Sequence, residues 1–235
     1  MVTGANTGLG QAIAVGIARA GAEVVCTARR DCDETLAQVV AAGGRGHALR
    51  LDLADPMAAS GVFDGAGIDI LVNNAGLIRR ADAVDFTEED WDAVIDVNLK
   101  AVFFTCQAFA REVFARGGRG RIVNIASLLS FQGGIRVPSY TASKYGVAGL
   151  TRLLANEWAA RGINVNAIAP GYIATNNTEA LRADPDRSEA ILARIPAGRW
   201  GQPEDIAGTA VYLYSAAADY VHSAVLNVDG GWLAR

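Results

Sequence analysis

The sequence contains 235 residues, of which 51% are hydrophobic and 20% charged, with a formal net charge of −4 at pH 7. A chain of this size can bury one sizeable core, and its interspersed charges form no basic stripe of the kind that binds nucleic acid. No uninterrupted apolar run approaches the roughly 20 residues of a membrane span, so we expect a cytoplasmic protein without nucleic-acid or membrane partners.

The cysteines and histidines offer little material for a metal site. The three cysteines stand in no metal-ligand spacing, and their odd number argues against a disulfide framework. With only two histidines as well, we expect reduced thiols and no metal.

Short apolar runs alternate along the chain with stretches of helical period, which is typical of a parallel sheet with crossover helices. The predicted strands are 23–28, 46–51, 68–72, 121–125, 163–169 and 224–228, and the predicted helices are 11–20, 88–116 with a break near Asn98, 140–161 and 203–214. No repeat or linker suggests a domain boundary. The fold class is therefore predicted as α/β: one doubly wound Rossmann domain over residues 1–235, with helices on both faces of the sheet.

Two segments depart from that regular alternation. Residues 1–3 lead directly into a glycine turn, so almost no first strand is present and residues are expected to be missing upstream. Residues 171–199 are polar and carry Asp184 and Pro185 in their middle, which predicts an irregular substrate flap. A plain surface insertion is the alternative.

The turn at 3–10 has the composition of a phosphate-binding loop. Its glycines open the first predicted helix, where backbone N–H groups can approach a pyrophosphate at the helix N-terminus. The cofactor residues predicted in this turn are Gly4, Asn6, Thr7, Gly8, Leu9 and Gly10.

The residues after the second strand bear on the choice of cofactor. Arg29 and Arg30 follow the strand directly, and an arginine there can pair with the 2′-phosphate of NADP. NADP(H) is therefore favoured. Asp31 and Asp33 keep NAD(H) open, because a small error in the strand end would place a carboxylate at the ribose; the arginines could also be solvated loop charges.

Further cofactor residues are expected at the carboxyl ends of the next two strands, where ligands of open sheets bind. They are Asp52 and Leu53 after the third strand, and Asn74, Ala75 and Gly76 after the fourth.

Lys144 is informative because the chain contains 19 arginines but only two lysines. Tyr140 precedes it by four residues, which places both on one face of a helix. A phenol with a pKa of about 10 is a weak base at neutral pH, and a neighbouring ammonium together with an oxidised nicotinamide would favour its phenolate. This pair predicts acid/base chemistry.

Two more residues complete the predicted catalytic set. Ser127, 13 residues before Tyr140, follows a strand and could hold a reacting oxygen, although alone it could be an ordinary loop serine. Asn98, at the helix break, could support a water that links Lys144 to solvent, or could merely cap the helix.

These motifs together resemble those of the short-chain dehydrogenase/reductase family, over essentially the whole chain. The resemblance rests on the turn at 3–10, Asn-Asn-Ala-Gly at 73–76, Asn98, Ser127, Tyr140-x-x-x-Lys144 and Pro170-Gly171. It implies that Tyr140 is the acid/base, that Lys144 also binds the nicotinamide ribose, and that Ser127 positions the substrate oxygen. It also adds Pro170, Gly171, Ile173 and Thr175 to the cofactor residues, and it implies a homotetramer.

A narrower resemblance, in segments 77–80, 130–140, 174–178, 194–200 and 230–235, is to family members that oxidise deoxy sugar acids from uronate breakdown. Such a substrate has a carboxylate that suits a guanidinium, for which Arg136 is the first candidate and Arg79, Arg194 and Arg235 follow. Gln132 and Asn176 could bind its hydroxyls. Reductases of other 3-keto or uronate-derived substrates remain alternatives, as does a non-catalytic dinucleotide sensor.

Overall fold

One sheet of seven parallel strands organises the computed structural model, which describes residues 1–234. The strands are β1 (Val2–Thr3), β2 (Glu23–Ala28), β3 (Arg45–Arg50), β4 (Ile70–Asn73), β5 (Gly120–Ile125), β6 (Ile163–Pro170) and β7 (Val225–Val228). Their spatial order is β3-β2-β1-β4-β5-β6-β7. Although β1 has two residues, it lies between β2 and β4 and pairs Val2 with both Cys26 and Val72. The chain order reverses beside β1, which is where open sheets bind ligands.

Helices cover both faces of this sheet. They are α1 (Gly8–Arg19), α2 (Asp33–Ala41), α3 (Glu88–Ile95), α4 (Ala101–Ala115), α5 (Pro138–Trp158), α6 (Glu179–Ala183), α7 (Pro185–Leu192) and α8 (Pro203–Tyr214). One core holds Phe109 of α4 and Leu154 of α5; the other holds Ile13 of α1 and Ile206 of α8. The doubly wound α/β fold predicted from the sequence is confirmed.

The predicted break near Asn98 is a change of helix type. Residues Asp96–Lys100 form a π-helical turn that joins α3 to α4. The continuous run Glu88–Ala115 has 28 residues and is apolar enough by length and composition to cross a membrane, with 56% of its most apolar window buried. Since α4 packs on β4 and β5, this apolar character serves the core of the fold.

The sequence interpretation missed three helices. In α2, only Thr35 and Val39 are buried, so its apolar period is too weak to recognise. The stretch predicted as irregular contains α6 and α7, and the Asp184 side chain caps α7 by accepting from the Arg187 N–H at 3.1 Å. Asp184 and Pro185 are therefore a helix start, where the sequence analysis treated them as loop residues.

Candidate active site

The glycine turn between β1 and α1 is held against the end of β4. Gly4 and Gly8 have φ angles of +62° and +58°, a region that favours glycine. A Cβ on Gly10 would overlap the carbonyl oxygen of Gly4. The Asn74 amide donates to the carbonyls of Thr3 and Gly4 at 2.9 and 3.0 Å, which fixes the turn in place.

Helix α2 supports the same turn from the other side. The fully buried Thr35 hydroxyl donates to the Ala5 carbonyl at 2.7 Å and accepts from the Gln11 amide at 3.1 Å. Sequence reasoning missed this residue because it missed the helix that carries it.

The turn opens into a cleft of about 310 Å³ along the carboxyl ends of the strands. Many residues predicted to bind the cofactor line it: Gly4, Asn6, Thr7, Gly8, Leu9, Arg29, Asp52, Leu53, Asn74, Ala75, Gly76, Tyr140, Lys144 and Thr175. So does Asn176, which was predicted to contact substrate. A chain of backbone donors at one end and a tyrosine-lysine pair at the other fits a nicotinamide dinucleotide.

Other predicted cofactor residues do not line the cleft. Gly10 lies under the turn, and Arg30 is exposed beside Arg29. Pro170 ends β6, Gly171 approaches the backbone of Asp229, and the buried Ile173 lines a second cavity of about 200 Å³. The cleft is also lined by four residues that the sequence analysis did not predict: Thr27, Leu51, Val97 and Ile125. Leu51 and Val97 each stand next to a residue that the motifs did identify.

Lys144 is held inside the molecule with its amine directed at the sheet. It lies one turn after Tyr140 on α5, is 5% exposed, and donates to the Ile125 carbonyl at 2.6 Å. Its Nζ lies 5.5 Å from the centre of the Tyr140 ring. Burial lowers the pKa of Lys144 from 10.5 to about 8.

The chain's own groups raise the pKa of Tyr140; the lowering predicted from the sequence requires an oxidised nicotinamide beside the Lys144 ammonium and stays a prediction. Desolvation raises the pKa of the phenol, while a hydrogen bond with the Ser127 side chain and the charge of Arg80 partly offset it. Burial outweighs the Ser127 hydrogen bond and the Arg80 charge, so the chain by itself favours the protonated phenol.

Ser127 stands at the start of a short 3-10 turn, Leu128–Ser130. Its side chain accepts from the Leu129 N–H at 3.2 Å, which directs the hydroxyl oxygen back over the turn. Together with its contact to Tyr140, this places a hydroxyl beside the phenol, where a reacting oxygen could lie between the two.

Asn98 clamps the chain that follows β4. Its fully buried amide donates to the Leu77 carbonyl at 2.8 Å and accepts from the Leu77 N–H at 2.9 Å. Because both ends of the side chain are engaged, Asn98 positions Gly76 and Leu77 at the cleft; its predicted part in a proton relay stays a prediction.

The arginines predicted to bind a carboxylate have other partners. Arg136 is exposed, lies outside the cleft lining, has a φ of +62° and pairs with Asp82 at 3.0 Å. Arg79 pairs with Asp90 at 2.9 Å, and Arg194 stacks 3.9 Å from the Trp232 ring centre. Arg235 lies outside the described residues.

Arg80 is the arginine that the sequence analysis overlooked. Like Arg136, it is exposed and does not line the cleft. Unlike Arg136, it has no acidic partner among residues 1–234: its guanidinium donates to the Asn177 carbonyl of the flap at 3.2 Å, and its charge acts on the Tyr140 phenol. The signal in the sequence that could have identified it is its position four residues after Gly76, in the segment that follows β4.

Comparison with known proteins adds to this geometry. Residues 4–233 match the family model described as enoyl-(acyl carrier protein) reductase. The chain is 58% identical over 240 residues to 2-dehydro-3-deoxy-D-gluconate 5-dehydrogenase of Escherichia coli, and 56% identical over 240 residues to that of Dickeya dadantii; each comparison covers 100% of this chain and 95% of the relative.

Solved structures agree in fold. A provisionally named 2-deoxy-D-gluconate 3-dehydrogenase from Agrobacterium tumefaciens, with bound NADP, has 75% identity and a TM-score of 0.99, covering 100% of this chain and 95% of that one. A gluconate 5-dehydrogenase from Burkholderia cenocepacia, in complex with NADP and tartrate, has 38% identity and a TM-score of 0.92, covering 99% and 94%.

Proposed function

The chain belongs to the short-chain dehydrogenase/reductase family, and from that premise we propose that it is an NADP(H)-dependent dehydrogenase of a deoxy sugar acid. It interconverts a secondary alcohol and a ketone, as 2-dehydro-3-deoxy-D-gluconate 5-dehydrogenase or 2-deoxy-D-gluconate 3-dehydrogenase would. The observation that carries the proposal is that Tyr140 and Lys144 lie together in the lining of the dinucleotide cleft, with the Ser127 side chain hydrogen-bonded to the Tyr140 phenol.

The reaction divides between the cofactor and the chain. Bound nicotinamide supplies the acceptor or donor of the hydride. In the oxidation, the proton of the substrate's hydroxyl group would pass to the Tyr140 phenolate, and the carbon that bears this hydroxyl would give its hydride to that acceptor. Ser127 donates a hydrogen bond to the reacting oxygen, and the Lys144 ammonium stabilises the phenolate.

Arg29 is the residue we assign to the 2′-phosphate of NADP(H). It lines the cleft just past β2, on the side away from Tyr140. A guanidinium there can form charge-assisted hydrogen bonds with the phosphate, which supports NADP(H) over NAD(H).

Arg80 is the residue we assign to the substrate carboxylate. Its one hydrogen bond within residues 1–234 goes to a backbone carbonyl, so the guanidinium retains donors for a ligand. In this assignment Arg80 replaces Arg136, whose charge is paired with Asp82. The flap at 171–199, which Arg80 touches at Asn177, closes the substrate side.

We also propose a homotetramer that works in the cytoplasm. A groove between α4 and α5 exposes apolar surface at Leu153 and carries Arg111 and Glu157, whose opposite charges suit pairing with a second copy of the chain. Three buried free cysteines fit a reducing compartment. Light scattering of the purified protein should give the mass of four chains.

The activity test follows the absorbance of the reduced cofactor. Each candidate substrate, from a panel of sugar acids and a 3-oxoacyl thioester, is assayed with NADP(H) and with NAD(H). We expect turnover with a deoxy sugar acid and NADP(H), and its loss in Tyr140→Phe with cofactor binding retained. Turnover of the thioester alone would favour a 3-keto reductase. Tight cofactor binding without turnover of any substrate would favour the sensor.

A further inference from the structure

The side chain of Gln132 is held by a residue 100 positions away, close to the C-terminus. The indole N–H of Trp232 donates to Gln132 Oε1 at 3.2 Å. An indole nitrogen only donates hydrogen bonds, so the amide must turn its oxygen toward Trp232. Its NH₂ group, with two donors, then faces away from the indole.

Trp232 cannot easily turn away from this contact. Its side chain is 3% exposed and belongs to a small core with Leu128, Ile191 and Ile195, separate from the two cores that flank the sheet. The Tyr172 ring lies 4.6 Å from the indole. Trp232 therefore joins the catalytic serine's turn to the flap.

Gln132 lies on the same loop as Ser127. Its backbone N–H donates to the Leu128 carbonyl at 3.2 Å, which closes the turn that Ser127 begins. Gln132 is half-buried and does not itself line the cleft. Within residues 1–234, the contact with Trp232 is the single hydrogen bond of its side chain. The NH₂ group, five residues along the chain from Ser127, therefore keeps both donors for a ligand.

We propose that Trp232 is a positioning residue that fixes the polarity of the Gln132 amide, so that the substrate meets two donors and no acceptor. A freely rotating glutamine could offer either end to a ligand. The fixed amide selects an acceptor oxygen, in a carboxylate or a carbonyl group, over a hydroxyl that must donate. This inference rests on the proposed function and deepens it by naming a determinant of substrate choice.

The first test compares Trp232→Phe with Trp200→Phe as a matched control. Trp200 also packs on Tyr172, at 5.6 Å between ring centres, but does not bond Gln132. With 2-deoxy-D-gluconate as probe, Trp232→Phe should raise KM by roughly three- to tenfold, the effect of one hydrogen bond, with kcat and NADP affinity nearly unchanged. Trp200→Phe should leave KM near the wild-type value.

A double-mutant cycle separates polarity from packing. In a Gln132→Leu background, Trp232→Phe should have no further effect on KM, because the amide that it orients is absent. An equal effect in both backgrounds would show that Trp232 acts through packing and would overturn the proposal.

Gln132→Glu tests the polarity itself. It places an acceptor where the donors stood, so KM should rise by about 100-fold for the acid and only a few-fold for its neutral amide, 2-deoxy-D-gluconamide. Equal losses on both probes would contradict the inference while leaving the proposed dehydrogenase intact. Absence of wild-type turnover with every sugar acid would instead refute the proposed function, and this inference with it.

Discussion

The Nζ of Lys144 donates a 2.6 Å hydrogen bond to the carbonyl of Ile125, the last residue of β5. This contact fixes the Lys144 ammonium to the end of a buried strand. The same burial lowers the pKa of Lys144 to about 8, so folding carries a cost for keeping the amine charged at neutral pH.

Lys144→Met should remove activity without unfolding the protein. Turnover should fall about 100-fold or more because the phenolate loses its cation. The substitution removes the cost of desolvating the ammonium, about 3 kcal/mol. This gain offsets the cost of leaving the Ile125 carbonyl unpaired, about 1–3 kcal/mol. The unfolding temperatures of the two proteins at pH 7 should therefore differ by a few degrees at most.

The stability difference between the wild-type protein and Lys144→Met should depend on pH. Between pH 8 and 10.5, folded Lys144 loses its proton while the unfolded chain keeps it, so wild-type stability rises relative to Lys144→Met as pH increases through this window. Unfolding measured at pH 7, 9 and 10.5 tests this. A stability difference independent of pH would contradict the buried ammonium.

Arg29→Ala should lower kcat/KM for NADP(H) by about 10- to 100-fold and leave that for NAD(H) nearly unchanged, because only the former carries the 2′-phosphate. Arg30→Ala is the matched control, since Arg30 is adjacent but does not line the cleft. Kinetics with both cofactors decide between the two positions. Equal effects of the two substitutions would indicate general attraction by solvated charges.

Thr35→Val keeps the shape of the side chain and removes its hydrogen bonds to Ala5 and Gln11. A buried carbonyl left unpaired should loosen the glycine turn and weaken NADP and NAD binding alike, by about tenfold. Thr35→Ser should restore affinity. Fluorescence titration well below the melting temperature checks this, and a lower melting temperature with unchanged affinity would assign Thr35 a role in stability alone.

Asn98→Ala should act first on the cofactor site. It leaves both backbone groups of Leu77 without their partner, which should cost about 2–3 kcal/mol of stability and raise KM for NADP(H), since Leu77 lines the cleft. A proton-relay role predicts something different: unchanged KM, lower kcat and a larger solvent isotope effect. Steady-state kinetics in H₂O and D₂O distinguish the two.

Local sequence patterns were enough to predict most residues that line the cleft. The glycine turn, the positions of Asp52 and Asn74 just after two strands, and the Tyr140-Lys144 spacing each depend on a few consecutive residues. Helix α2 was missed because it buries just two of its nine residues, and the flap helices were missed because their start signals stand in a polar stretch.

The sequence by itself determined the alternation of strands and helices, the glycine turn and the placing of Tyr140 and Lys144 on one helix face, because each depends on the spacing of residues that are close in the chain. Only the tertiary structure decided which arginine's charge acts on Tyr140, that burial raises the pKa of its phenol, and that the Trp232 indole bonds the Gln132 amide. Each of these features depends on groups up to 100 residues apart that meet in a desolvated interior. Packing sets the partners of those groups, and the spacing of residues in the sequence does not encode that packing.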